Sequence, residues 1–231
     1  MIPLRDANPT RRTPVVTIAL VLACLAIFAY ELGLLATGPA VLDGFVRMWG
    51  VVPAELTAAW GGGSILSIES ATLISSQFLH GGWLHVLGNL LYLWIFGNNI
   101  EDRFGRLAFV LFYLAGGIAA ALAQVIIDPA SDVPLIGASG AIAAILGAYL
   151  VLYPRARITS LVFLGFFYQL IDVPAVIVLA FWFVLQLVDG LASLGVSGVG
   201  GGVAFFAHIG GFLFGVAVAL AMRMVARPRV G

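Results

Sequence analysis

The chain has 231 residues, 62% hydrophobic and 10% charged, with eleven arginines balanced by eleven acidic residues. An ordinary globular domain is about a quarter charged, so this composition excludes a soluble core, and without a basic cluster it gives no reason to expect nucleic acid. The single cysteine, Cys24, lies inside an apolar run, which excludes a disulfide framework and a cysteine zinc site.

Six apolar runs follow one another, at about 15–36, 78–97, 107–127, 135–153, 173–189 and 203–222. About 20 apolar residues cross the hydrocarbon as a helix, so the expected fold is an all-α polytopic membrane protein, a bundle of six transmembrane helices. The expected organisation is one domain over 15–225 between short tails at 1–14 and 226–231. Near the outer end of the first run, Glu31 is expected to snorkel outward. The segment at 38–77 is long and mixed, with Trp49, Trp60 and the flexible "GGGS" at 61–64; its aromatics suit the headgroup region. After the fourth run, "ITSLVFLGFFYQLI" (158–171) is apolar but only 14 residues long, which suits an interfacial or re-entrant segment at the cytoplasmic surface. The fifth span then begins near Pro174.

Cationic side chains accumulate on the cytoplasmic side of short loops. With the N-terminus inside, Arg5, Arg11, Arg12, Arg103, Arg106, Arg155, Arg157, Arg223, Arg227 and Arg229 fall on that side and only Arg47 falls outside. The segments then external carry Asp43, Glu55, Glu69, Asp128, Asp132 and Asp189 instead. Both termini are therefore expected in the cytoplasm, and the short tails without a transit-like pattern point to a bacterial inner membrane.

Polar groups inside spans are costly, and each needs a partner or a function. Four stand out: His85 and Asn89 in the second span, Ser139 in the fourth and His208 in the sixth. Taken singly, each has an ordinary explanation, since a serine among small residues serves close helix packing and a lone histidine is a bonded interior group. The topology brings them to one level. The second, fourth and sixth spans all enter from outside; Ser139 lies in the first turn of its helix, and His208 lies about 7–8 Å down its own. Asn89 follows His85 by one turn on the same face.

The chain resembles the rhomboid family of intramembrane serine proteases. The matching pieces are "HGGWLHVLGN" (80–89), "EDR" (101–103), "GASG" (137–140) and "AHIGGFLFG" (207–215), in the family's order over about residues 15–225. The resemblance implies that Ser139 is the nucleophile and His208 the general base, a dyad with no aspartate. An imidazole in reach of a serine hydroxyl can remove its proton near neutral pH, and two-residue variants of the triad are known solutions. The backbone N–H of Ser139 at a helix N-terminus would donate to an oxyanion, and the side chains of His85 and Asn89 are the family's further donors. Gly137 and Gly140, with Gly211 and Gly215, would let their helices approach closely. Glu101 and Arg103 would tie down the turn after the second span. The expected substrates are transmembrane helices of other proteins, cut near their external ends from within the bilayer, with access past the fifth span around Trp182 and Phe183.

Two places depart from the family pattern. Ala143 stands where some members carry a tyrosine against the base, so that His208 is either held less firmly or supported by Phe205 or Phe206 instead, and Ala71 and Thr72 lie where a Trp-Arg pair is expected. His80, about 140° around a helix from His85, reads as a loop anchor. No cofactor is expected. A metal-dependent hydrolase or transporter using His80, His85 and His208 lacks both H-E-x-x-H and paired carboxylates. The runner-up is a non-catalytic relative that binds transmembrane clients; relatives of that kind usually lack the serine or the base, and this chain has both. Oligomeric state is not legible.

Overall fold

The computed structural model describes residues 1–164, 167–194 and 204–225. Strand β1 (Ile2–Asp6) opens the chain and helix α1 (Val15–Thr37) follows Pro14. The first N–H groups of a helix have no partner within it. Here Glu101, from the far end of a later helix, accepts from Val16 N–H (2.9 Å), Thr17 N–H (2.7 Å) and the Thr17 hydroxyl (2.8 Å). A carboxylate at that position also complements the positive end of the helix dipole.

Three short helices, α2 (Pro39–Trp49), α3 (Pro53–Gly61) and α4 (Ile68–Ser75), and a 3-10 turn (Ser76–Phe78) fill the long mixed segment. Then come α5 (Trp83–Phe104), α6 (Arg106–Ile127) and α7 (Ser139–Leu152), strands β2 (Arg157–Leu164) and β3 (Phe167–Pro174), and helices α8 (Ala175–Ser193) and α9 (Phe205–Val225). Among the described residues, α1, α6, α8 and α9 are long and apolar enough to cross a membrane. The other two expected spans differ from these. Helix α5 has the length but carries His85, Asn89, Asn98, Asn99 and Glu101, and α7 has only 14 residues.

That short helix is the centre of the fold. Every residue from Gly140 to Tyr149 is buried, and a helix that is apolar all round belongs in an interior. Its length of about 21 Å falls short of the roughly 30 Å hydrocarbon, and the other helices enclose it. Helix α9 lies directly against it. A Cβ at Gly211 would strike the Gly140 carbonyl, and one at Gly215 the Ala144 carbonyl; only glycine permits that backbone approach. A second, smaller cluster of Val51, Leu56, Leu73, Ala121 and Val125 seats the short helices on α6.

The strands correct the all-helical expectation. They form one antiparallel sheet in the order β1-β2-β3, with Ile2 opposite Leu161 and Ile158 opposite Val173. The run at 158–171 is therefore a hairpin, apart from residues 165–166, which lie outside the described residues. Its β-branched Ile158, Thr159, Val162, Ile171 and Val173 favour that choice. The expected N-terminal tail likewise begins with a strand. Asp6, at the end of β1, accepts from Asn99 Nδ2 (2.6 Å) and the Tyr149 hydroxyl (2.8 Å), pinning the sheet to α5 and α7. Burial pushes the Asp6 carboxyl above its ordinary value, with the bonds from Tyr149 and Asn99 acting in the opposite direction. The expected C-terminal tail 226–231, with Arg227 and Arg229, and residue 203 at the start of the sixth run lie outside the described residues.

Candidate active site

The chain reaches α7 through Ile136, Gly137 and Ala138. Gly137 has φ +121°, a backbone conformation L side chains rarely adopt, and its N–H donates to the Ser76 carbonyl at 2.8 Å. A side chain there would also have no room, because a Cβ would lie 2.6 Å from His85 Nε2 and 3.7 Å from Asn89 Nδ2. Residues from α5 thus converge on the backbone two positions before Ser139.

Ser139 is the first residue of α7, and its Oγ lies 2.7 Å from His208 Nε2 on the first turn of α9. The two side chains are 69 positions apart in the chain. The other ring nitrogen, Nδ1, lies 2.7 Å from Gln186 Oε1 on α8. The Trp182 ring, one turn earlier on α8, packs beside the imidazole with centroids 5.9 Å apart. Neither Phe205 nor Phe206 provides the support expected in place of a tyrosine at 143; α8 provides it. Phe183 stacks on Phe212 at 4.4 Å, so both aromatics expected beside the access route pack inward.

Gly81 N–H donates to His85 Nδ1 at 3.3 Å. A neutral imidazole accepting at Nδ1 carries its proton on Nε2, the atom that faces Gly137. Asn89 Nδ2 is buried and has no hydrogen-bond partner among the described residues. Buried amides are seldom left so, and an orphaned donor beside Gly137 is available to a ligand. A cavity lined by Ser76, Gln77, Ile136, Gly137, Ser139 and Ala207 adjoins these groups. Gln77 donates from Nε2 to the Leu73 and Leu114 carbonyls and leaves Oε1 without a partner among the described residues. A polar-edged cavity of this kind can hold water.

The remaining residues have structural contacts. Glu31 does not snorkel: it is 2% exposed, and its carboxylate accepts the His80 backbone N–H at 3.1 and 3.2 Å. His80 in turn lies with Nδ1 3.1 Å from the Phe78 carbonyl, within the connection to α5. Glu101 caps α1, whereas Arg103 is exposed in the last turn of α5. The contacts not foreseen from the sequence include Gln186 on His208 and Glu31 on His80.

Comparison with known proteins gives a Rhomboid domain matching residues 68–225. The chain is 35% identical to Rhomboid protease GluP of Bacillus subtilis over 123 residues, covering 53% of this chain and 23% of that protein. It is 30% identical to RHOMBOID-like protein 4 of Arabidopsis thaliana over 184 residues, covering 78% and 41%. It is 29% identical to the mitochondrial presenilin-associated rhomboid-like protein A of Danio rerio over 149 residues, covering 62% and 35%. The chain spans less than half the length of these curated relatives.

Proposed function

The chain belongs to the rhomboid family of membrane proteins, and from that premise we propose that it is an intramembrane serine endopeptidase with Ser139 as nucleophile and His208 as general base. One observation carries this reading above the others: the 2.7 Å contact between Ser139 Oγ and His208 Nε2, made by two helices whose other interior residues are almost all apolar. Removal of the hydroxyl proton by Nε2 lets Oγ attack a peptide carbonyl carbon. The resulting oxyanion is met by the Ser139 backbone N–H at the start of α7, by His85 Nε2–H and by Asn89 Nδ2. His208 then delivers the proton to the leaving amine, and a water from the adjoining cavity hydrolyses the acyl-enzyme. The unpartnered Asn89 amide supports its role as a donor in this scheme.

The substrate is another protein's transmembrane helix, cut near its external end. Six spans with both termini cytoplasmic fit the arginine distribution, since ten of the eleven fall on one side and Arg47 on the other. The relatives include a bacterial and a mitochondrial protein, and the family places the chain in a membrane without choosing the compartment. The test is cleavage of a labelled single-span peptide by the protein reconstituted in vesicles. The parent cuts in the presence of a chelator, and Ser139→Ala and His208→Ala each lower kcat by at least about 10³-fold. Cleavage by Ser139→Ala at the parent's rate overturns the assignment.

A further inference from the structure

We propose that Gln186 is the positioning residue for His208, so that helix α8 sets the tautomer and orientation of the base; this rests on the protease reading above. The amide oxygen Oε1 can only accept, so its 2.7 Å contact requires the proton on His208 Nδ1. A neutral imidazole protonated there has its lone pair on Nε2, facing the Ser139 hydroxyl. The reversed amide would put N–H groups against Nδ1 and leave the ring proton on Nε2, where it could not receive the proton of Ser139. Among the described residues, the His208 ring has no other side-chain hydrogen bond. With its oxygen toward the ring, as in this structure, Gln186 favours the productive tautomer.

The contact also changes in strength during the reaction. When Nε2 takes the serine proton, Nδ1–H becomes part of an imidazolium, and its bond to Oε1 becomes charge-assisted and stronger. An interaction that strengthens only as the barrier is climbed raises kcat and leaves KM alone. A carboxylate would do more for the imidazolium but is costly at membrane depth, whereas an amide avoids that charge. Trp182 and Gln186 lie one turn apart on one face of α8, and both meet His208. Phe181, Leu185 and Val188 on the same helix are exposed. Moving α8 outward by about 1 Å stretches a 2.7 Å hydrogen bond beyond useful length. The base is therefore aligned only while α8 is seated.

The test uses the full chain in detergent and measures the rate of covalent labelling by a fluorophosphonate across pH, with kcat and KM on the labelled single-span peptide. Gln186→Leu is expected to lower the labelling rate and kcat about 10-fold, equivalent to about 1.4 kcal/mol, with KM unchanged. Gln186→Glu is expected to move the midpoint of the acidic limb to higher pH, because a carboxylate on Nδ1 favours the imidazolium. A side chain at 186 that does not face the ring would leave that midpoint where the parent has it. Labelling of Gln186→Leu at the parent's rate, or an unmoved midpoint in Gln186→Glu, overturns the proposal. If Gln186→Leu does not reach the membrane, the midpoint in Gln186→Glu decides alone. Ser139→Ala separates the two levels: a silent Ser139→Ala beside an unimpaired Gln186→Leu removes this inference only, and labelling of Ser139→Ala at the parent's rate removes the protease reading with it.

Discussion

Asn89 Nδ2 is buried without a partner, 3.7 Å from where a Gly137 side chain would begin. On the proposed mechanism this amide N–H, unpartnered among the described residues, bonds only when an oxyanion forms, so its contribution belongs to the transition state. Asn89→Ala is expected to lower kcat by about 10²–10³-fold with little change in KM, read from initial rates on the single-span peptide. Ser139, His208, His85 and Asn89 were legible because polar side chains in apolar helices demand an explanation. Gln186 meets the same criterion, but its place on α8 gives no sign in the sequence that it faces His208, and only the fold brings the two together. Glu31 was misread for a different reason. Its position near a helix end suggested an escape to water, but the turn before α5 folds over it and supplies the His80 N–H.

At the scale of elements, the contact between α7 and α9 sets the distance between Ser139 and His208. A methyl at Gly215 would meet the Ala144 carbonyl oxygen, with its carbon 2.7 Å and Cα 2.9 Å away, and backbone atoms cannot yield as a side chain end can. Gly215→Ala is therefore expected to destabilise the bundle by about 1–3 kcal/mol and to reduce cleavage by parting the two helices. Thermal unfolding in detergent checks the first and peptide cleavage the second. Gly33→Ala, where a Cβ would meet nothing within 4 Å, serves as the control and leaves the melting temperature near the parent's. The long helices were legible as runs of apolar residues of sufficient length. The hairpin was not, because a short apolar run suits a strand as well as a helix segment. Its pairing with β1 depends on residues more than 150 positions away.

For the whole molecule, the sheet joins the start of the chain to the connection between α7 and α8, and Asp6 fastens it to the bundle. The raised pKa of Asp6 means that the folded chain holds its proton more tightly than the unfolded chain. That contribution favours the folded sheet most at low pH and is lost as pH rises from the ordinary value of 3.8 through the raised value. The protection factors of the β1 amides, which are exchange rates corrected for the intrinsic rate at each pH, are expected to fall across that window in the parent. Asp6→Asn keeps an acceptor oxygen and does not titrate, so this pH dependence of protection should be absent. Composition made the membrane setting legible, and large apolar side chains such as Leu22, Leu111, Phe181 and Leu213 are indeed exposed around the bundle, where lipid would cover them. The measurement that bears most directly on the account is mass-spectrometric mapping of the fluorophosphonate adduct on the full chain. A single adduct is expected, on Ser139, formed by the parent and missing from His208→Ala. An adduct on another residue, or one that forms on Ser139 equally fast without His208, would contradict it.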